Sequence, residues 1–392
     1  MEHDRLAVVC ALAGLLAVPL AAGPAARATA DAPGGLLVYF GTYTQGKSKG
    51  IYVSRLDPAT GTLGVPTLAA ESVNPSFLAV HPSGKYLFAV NEVESFDGAK
   101  AGAASAFAID AGGRLRPLNQ SSTRGTGPCY VSVVRSGRHL LVANYGGGSV
   151  AVLPIAADGR LGAASAFVQH PSEGGDPQKP NRPHAHSIDV DPANRHALVA
   201  DLGLDRVFVY RFTPADGSLA PNDPPFARLD AGAGPRHVAL HPSGAYAYVL
   251  NETHMTVDVF AFDKARGALA HRQKLSALPE GVAVAAGFSG AEILVHPSGR
   301  FLYSSNRGHD TLAVFAIDKA KGTLTLVEHV ATGGKTPRGF GIDPSGRWLL
   351  AGNQRSDTVS VFRIDPSTGR LTQTTQSVEV GAPVSFAFVA AP

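Results

Sequence analysis

Four residues of this chain ask for a chemical explanation: His186, Arg236, Glu252 and Arg307. Five more stand with them: Glu92, Tyr145, His184, Arg338 and Gln354. Imidazole and carboxylate groups exchange protons, and guanidinium groups hold anions through parallel N–H donors. A set that mixes all three around one cavity is suited to acid–base work beside an anion. The plainer alternative is a structural ion network, with Arg236 and Arg338 paired to Glu252 and Glu92. What separates the two readings is where the residues fall in a repeat.

The unit Pro75-Ser-Phe-Leu-Ala-Val-His-Pro-Ser-Gly84-Lys-Tyr-Leu-Phe-Ala-Val-Asn91 recurs at Pro128–Asn144, Pro183–Asp201, Pro235–Asn251, Gly290–Asn306 and Pro337–Asn353. Its turn falls at Gly84, Gly137, Asn194, Gly244, Gly299 and Gly346, so the period is about 50 residues, the length of a propeller blade. Each unit reads as four strands: two apolar runs around the Pro-Ser-Gly turn, a third strand, and a fourth after a turn such as Asp365-Pro-Ser-Thr-Gly369. Six units are complete. Gly35–Thr44 looks like a second strand lacking its first, and Pro383–Val389 like a first lacking its second. Pairing them predicts an all-β fold, a single seven-bladed β-propeller with four antiparallel strands per blade, closed by the two ends of the chain.

The repeat also sorts residues. His81, His241 and His296 share one slot before the turn, and Asn91, Asn144, Asn251, Asn306 and Asn353 share another where the second strand ends. Recurrence marks them as scaffold, the asparagines as backbone binders. Eight residues before the turn the slots hold Ser76, Cys129, His186, Arg236, Ala291 and Arg338. Eight after it they hold Glu92, Tyr145, Leu202, Glu252, Arg307 and Gln354. The hairpin is antiparallel, so both slots lie at one mouth of the central channel. Scaffold needs do not explain their variety.

Composition narrows the function. With 34 Lys and Arg, 31 Asp and Glu and a net charge of +3, the chain has no basic cluster to suggest nucleic acid. His184 and His186 are spaced to chelate, but no carboxylate or cysteine cluster completes a metal site, and none is expected. Cys129 in a rim slot could be a nucleophile, though it reads better as a small buried hydrophobe. The first thirty residues form a separate unit. Arg5, the apolar run Leu6–Ala22 and Ala28-Thr29-Ala30 read as a secretory signal peptide over 1–30, ahead of a propeller over 31–392. That places the mature protein in the periplasm or outside the cell, with Cys129 as its one cysteine, no disulfide and no membrane span.

Gly41-Thr-Tyr-Thr44, Gly234-Pro-Arg-His237, Asn251-Glu252, Ser305-Asn-Arg-Gly-His-Asp310 and Thr336-Pro-Arg338 resemble the seven-bladed lactonase family, from about residue 36 to 390. That family includes propeller-type 6-phosphogluconolactonases and carboxymuconate lactonizing enzymes. The resemblance implies hydrolysis of a sugar lactone in glucose metabolism, with no cofactor and a monomer acting on a small, anionic lactone. It implies a site of His186, Arg236, Glu252 and Arg307. Glu252 or His186 would activate water, and Arg236 or Arg307 would hold the oxyanion. Export puts a phosphorylated substrate in question. Two alternatives stay open: a non-catalytic propeller binding an anion or a partner protein, and a muconate-type lactonizing enzyme.

Overall fold

The computed structural model describes Met1, residues 35–172 and residues 182–391. The expected leader, Met1 apart, lies outside the described residues, and so does most of the irregular stretch 169–182. The described residues form 28 strands in seven four-stranded antiparallel sheets, with no helix. Their innermost strands touch in a closed cycle: Pro383–Ala390, Leu78–Val80, Pro128–Val133, Ala185–Val190, Pro235–Leu240, Ser289–Val295, Pro337–Ile342 and back to the first. We number the blades in that order. Blade 1 is the split one: Pro383–Ala390 pairs with Leu36–Thr42, from Leu36 opposite Ala390 to Phe40 opposite Phe386.

Strand burial follows position in the blade. Second strands such as His139–Asn144 and Trp348–Asn353 are buried at every residue, because neighbouring blades cover both faces. The outermost strand Leu371–Glu379 alternates, because one of its faces meets water.

The recurring residues fasten one blade to the next. In blade 2, the Ser83 amide donates to His81 Nδ1 at 3.1 Å, which leaves the proton on Nε2. That Nε2–H donates to the Gly137 carbonyl of blade 3 at 3.0 Å. His241 reaches Gly299 and His296 reaches Gly346 in the same way, at 2.9 and 2.8 Å. The asparagines work at the other end. Asn144 and Asn306 donate to Thr123 and Ala277 carbonyls at 3.2 and 2.7 Å, each just past the preceding blade's outer strand. Asn91 and Asn353 do the same to Val73 and Thr332. Asn251 departs from the pattern. Its amide donates to Thr256 Oγ1 and Asp258 Oδ2 within its own blade.

Candidate active site

Four inner strands are irregular at the slot that carries chemistry. Pro128 pairs with Asn144 and Tyr130 with Ala143, which leaves Cys129 as an extra, unpaired residue. The same one-residue bulge isolates His186, Arg236 and Arg338. A bulge turns its side chain out of the pleat, and here it aims each one off the sheet plane at the channel mouth. Two residues before the inner-strand slot, Asn74, Gly127, Gly234, Thr336 and Ala382 all have positive φ, between 42° and 69°. Their carbonyls accept the amide of the second-strand slot: Glu92, Tyr145, Glu252, Gln354 and Tyr43. This brace pins each pair of slots together.

Tyr43 is thus the second-strand slot of the split blade. Counting from Pro-Ser-Gly could not find it, because blade 1 has no such turn between its inner strands. The sequence signal was available elsewhere: pairing Pro383 with Thr42, as Pro128 pairs with Asn144, puts Tyr43 in register with Tyr145.

The slots converge on a cavity of about 230 Å³ lined by Tyr43, Glu92, Cys129, Tyr145, His186, Glu252 and Arg338. Its size suits a monosaccharide better than a drug-sized ligand, for which ~300–1,000 Å³ is usual. A larger cavity of about 710 Å³ lies between blades 1 and 2, against Glu71, Ser72, Pro117 and Gln120, and gathers no comparable set of charged groups.

Arg236 and Arg307 stand behind Glu252. Arg236 Nε lies 3.0 Å and Arg307 Nη2 2.9 Å from the same oxygen, Glu252 Oε2. Oε1 has no protein hydrogen-bond partner among the described residues. The expected pairing of Arg236 with Glu252 is therefore present, but Arg338 does not pair with Glu92. Glu92 Oε2 instead accepts the Tyr43 hydroxyl at 2.8 Å and the Ser76 hydroxyl at 2.5 Å. Arg338 lies over the Tyr43 ring, 5.3 Å from its centre, and its guanidinium has no protein acceptor among the described residues.

These contacts set the charges. Burial would raise the Glu252 carboxyl, but Arg307, Arg236 and Arg338 outweigh it and hold the group below its ordinary 4.5. Glu252 is ionised at neutral pH. Burial, reinforced by Arg236, His237 and Arg338, lowers His186 far below 6.5, so its imidazole is neutral. Burial lowers Arg307 to about 10, with Arg236 adding to the shift and Glu252 opposing it. Burial also works against the Arg338 charge, yet Tyr43, Glu92 and Glu252 more than restore it. Burial raises the Cys129 thiol, which packs 3.5 Å from His186 Nδ1. Cys129 is thus a protonated wall of the cavity and a poor nucleophile.

Two expected substrate contacts are not at the cavity. His184 stacks on the Tyr145 ring at 4.5 Å, with Nδ1 held 2.9 Å from the Tyr145 carbonyl, so it supports Tyr145 from outside. Gln354 is braced through its amide to Thr336, and no contact brings its side chain to the cavity walls. Among the described residues no three of His, Cys, Asp and Glu are grouped to hold a metal ion.

Asp201 fixes the strand that carries His186. It stands where five blades have asparagine. Its Oδ1 accepts the amides of His184, Gly203 and Leu204 at 2.9–3.1 Å, and its Oδ2 lies 2.5 Å from His170 Nδ1, fully buried. Asp201→Ala strands these donors in the interior and should cost about 3–5 kcal/mol. Urea unfolding checks this. Asp201→Asn should recover part of the loss, and a cost below about 1 kcal/mol for alanine would contradict the assignment.

Comparison with known proteins agrees with the fold. Residues 37–388 match the family model described as "Lactonase, 7-bladed beta-propeller". The chain is 36% identical to the 6-phosphogluconolactonase of Bacillus subtilis over 306 residues, 78% of this chain and 84% of that one. It is 36% identical over 241 residues to the 6-phosphogluconolactonase of Pectobacterium carotovorum, covering 60% and 67% of the two chains. Among solved structures, the periplasmic gluconolactonase PpgL of Pseudomonas aeruginosa superposes with a TM-score of 0.84 at 38% identity, over 91% of this chain and all of that one.

Proposed function

Because the chain belongs to the seven-bladed β-propeller lactonase family, we propose that it hydrolyses a sugar lactone to the hydroxy acid at the mouth lined by Glu252 and Arg338. The observation that carries this reading is the division of labour among the charges. Two arginines hold one oxygen of Glu252, and the third, Arg338, is left for an anion.

Water is the nucleophile. Glu252 Oε1 takes a proton as the water oxygen bonds to the lactone carbonyl carbon. The carbonyl becomes an oxyanion, which Arg338 faces as a donor that needs no rearrangement. The tetrahedral carbon then expels the ring oxygen, and the proton on Glu252 passes to it as the new hydroxyl. His186, neutral and beside Glu252 in the cavity wall, orients the substrate or water. The oxyanion role that resemblance gave to Arg236 or Arg307 moves to Arg338, because those two are committed to Glu252.

The charge count bears on the substrate. Arg236 and Arg307 are taken up by Glu252, and Arg338 is the cavity-lining cation with no ion-pair partner among the described residues. One free guanidinium matches one oxyanion and leaves nothing for a phosphate dianion. We therefore favour an unphosphorylated sugar lactone. An exported protein fits that choice, and PpgL is named as a periplasmic gluconolactonase. Finding the mature terminus near Asp31 on protein from the periplasm or medium supports export; an intact Met1 on cytoplasmic protein refutes it.

The test compares δ-gluconolactone with its 6-phosphate, for wild type and Arg338→Gln. The variant should lose roughly 100- to 1,000-fold in kcat on both lactones. A defect confined to KM for the phosphorylated lactone would make Arg338 a phosphate binder and overturn the oxyanion role.

A further inference from the structure

Beneath the cavity, Arg236 is held from its far side by a second polar group. His237 Nδ1 lies 2.7 Å from Glu292 Oε1, and its Nε2 lies 3.2 Å from Arg236 Nη1. A carboxylate only accepts, so the proton sits on Nδ1. Nε2 is then a lone pair, and Arg236 Nη1 donates to it. The same Nη1 also donates to the Ala291 carbonyl. Arg236, His237 and Glu292 are 2%, 3% and 5% exposed. The His237 ring is wedged edge-on against Tyr130 and His186, at 5.0 and 5.1 Å.

Glu292 follows the rim slot as His237 does in its own blade, but here the ladder is interrupted. The bulges at Cys129, His186, Arg236 and Arg338 each leave one residue out of the ladder. Blade 6 skips two, Ala291 and Glu292, between Gly290 opposite Asn306 and Ile293 opposite Ser304. The interruption is stitched by the Glu292 amide to Ser305 Oγ and by the Ile293 amide to Glu292 Oε1, both at 3.0 Å. The two residues left unpaired there, opposite Ser305, are the two that meet Arg236 and His237.

We propose that Glu292 and His237 are positioning residues for the lactonase reaction. Glu292 fixes the histidine as the Nδ1–H tautomer, the histidine fixes the plane of the Arg236 guanidinium, and Arg236 holds Glu252 Oε2 so that Oε1 faces the cavity. The inference rests on the reading that Arg236 and Glu252 serve the reaction. It goes further by naming residues that touch neither the substrate nor the cavity around Arg338. His81, His241 and His296 take the Nε2–H form here, whereas His170 and His184 share the Nδ1–H form through Asp201 and the Tyr145 carbonyl, so the His237 signal is identified by its loss in His237→Gln.

The first readout needs no variant. In ¹⁵N-histidine-labelled wild type, the signal lost in His237→Gln should be that of an Nδ1–H imidazole with an unprotonated Nε2. An Nε2–H or doubly protonated ring overturns the proposal. The second readout is kinetic, at temperatures where circular dichroism shows each variant folded. His237→Leu and Glu292→Leu should lower kcat about 10- to 100-fold with KM little changed, the scale of a misplaced catalytic group. His237→Gln keeps an acceptor for Arg236 and should recover most of that loss. Equal impairment of the Gln and Leu variants, or full kcat in His237→Leu while Arg236→Ala is inactive, overturns the positioning role alone. Full activity in Arg236→Ala would instead bring down the reading of the site beneath it.

Discussion

Glu252→Gln is expected to lower kcat on δ-gluconolactone by roughly 100- to 10,000-fold, the range that proton transfer by a placed side chain contributes. The amide is the same size and keeps an oxygen toward Arg236 and Arg307, so what it removes is the ability to take a proton. It also removes the negative charge between two guanidinium groups, one of them 2% exposed. The variant should therefore be less stable by about 2 kcal/mol, and rates must be measured below its melting temperature. The pH profile separates the candidate bases. Glu252 is held below 4.5, so its active, ionised form persists through neutrality and is lost only as pH falls through its lowered pKa. His186 is already neutral well below 6.5. Wild-type kcat/KM should thus be flat across pH 6.5. A descending acid limb centred there would assign the base to a histidine with an ordinary pKa.

The second large effect concerns closure. Deleting residues 383–392 should leave no cooperatively folded propeller. The deletion removes the inner strand of blade 1 and exposes the buried strand Leu36–Thr42 along its whole edge. It also removes Val384, Ala387 and Val389 from the core and breaks the inner cycle between blades 7 and 2. Burial of each large aliphatic side chain contributes about 1.5–3 kcal/mol, against a total stability of about 5–15 kcal/mol. Size-exclusion chromatography and thermal melts should show aggregation or loss of the transition. A sharp melt within a few degrees of wild type would mean that the ends do not close the ring.

The blades and their closure were legible because turn chemistry recurs. Each Pro-Ser-Gly marks a hairpin, and the apolar runs beside it can only be strands buried on two faces. The same arithmetic found His186, Glu252, Arg338, Glu92 and Tyr145, because residues at a fixed distance from a turn end at one height in the channel. It failed where that distance loses its meaning. Tyr43 has no turn to be counted from. His184 lies two residues before a bulge, and the bulge breaks the alternation that would have put it on one face with His186. Glu292 sits one residue past the rim slot, which the turn distance assigns to Ala291, and the two are left out of the ladder opposite Ser305. Nor can spacing tell that Arg236 and Arg307 share one carboxylate oxygen while Arg338 shares none. That partition depends on side-chain packing across three blades, and it is what gives the arginines different parts in the chemistry.

The most direct measurement is a pH-stat trace of acid release from δ-gluconolactone, corrected for spontaneous hydrolysis, at several protein concentrations. Purified residues 31–392 should add a rate proportional to protein and saturable in lactone, and protein carrying both Glu252→Gln and Arg338→Gln should add none. Acid release at the buffer rate with folded wild type, or a rate undiminished in the double variant, would contradict a lactonase site at this mouth of the channel.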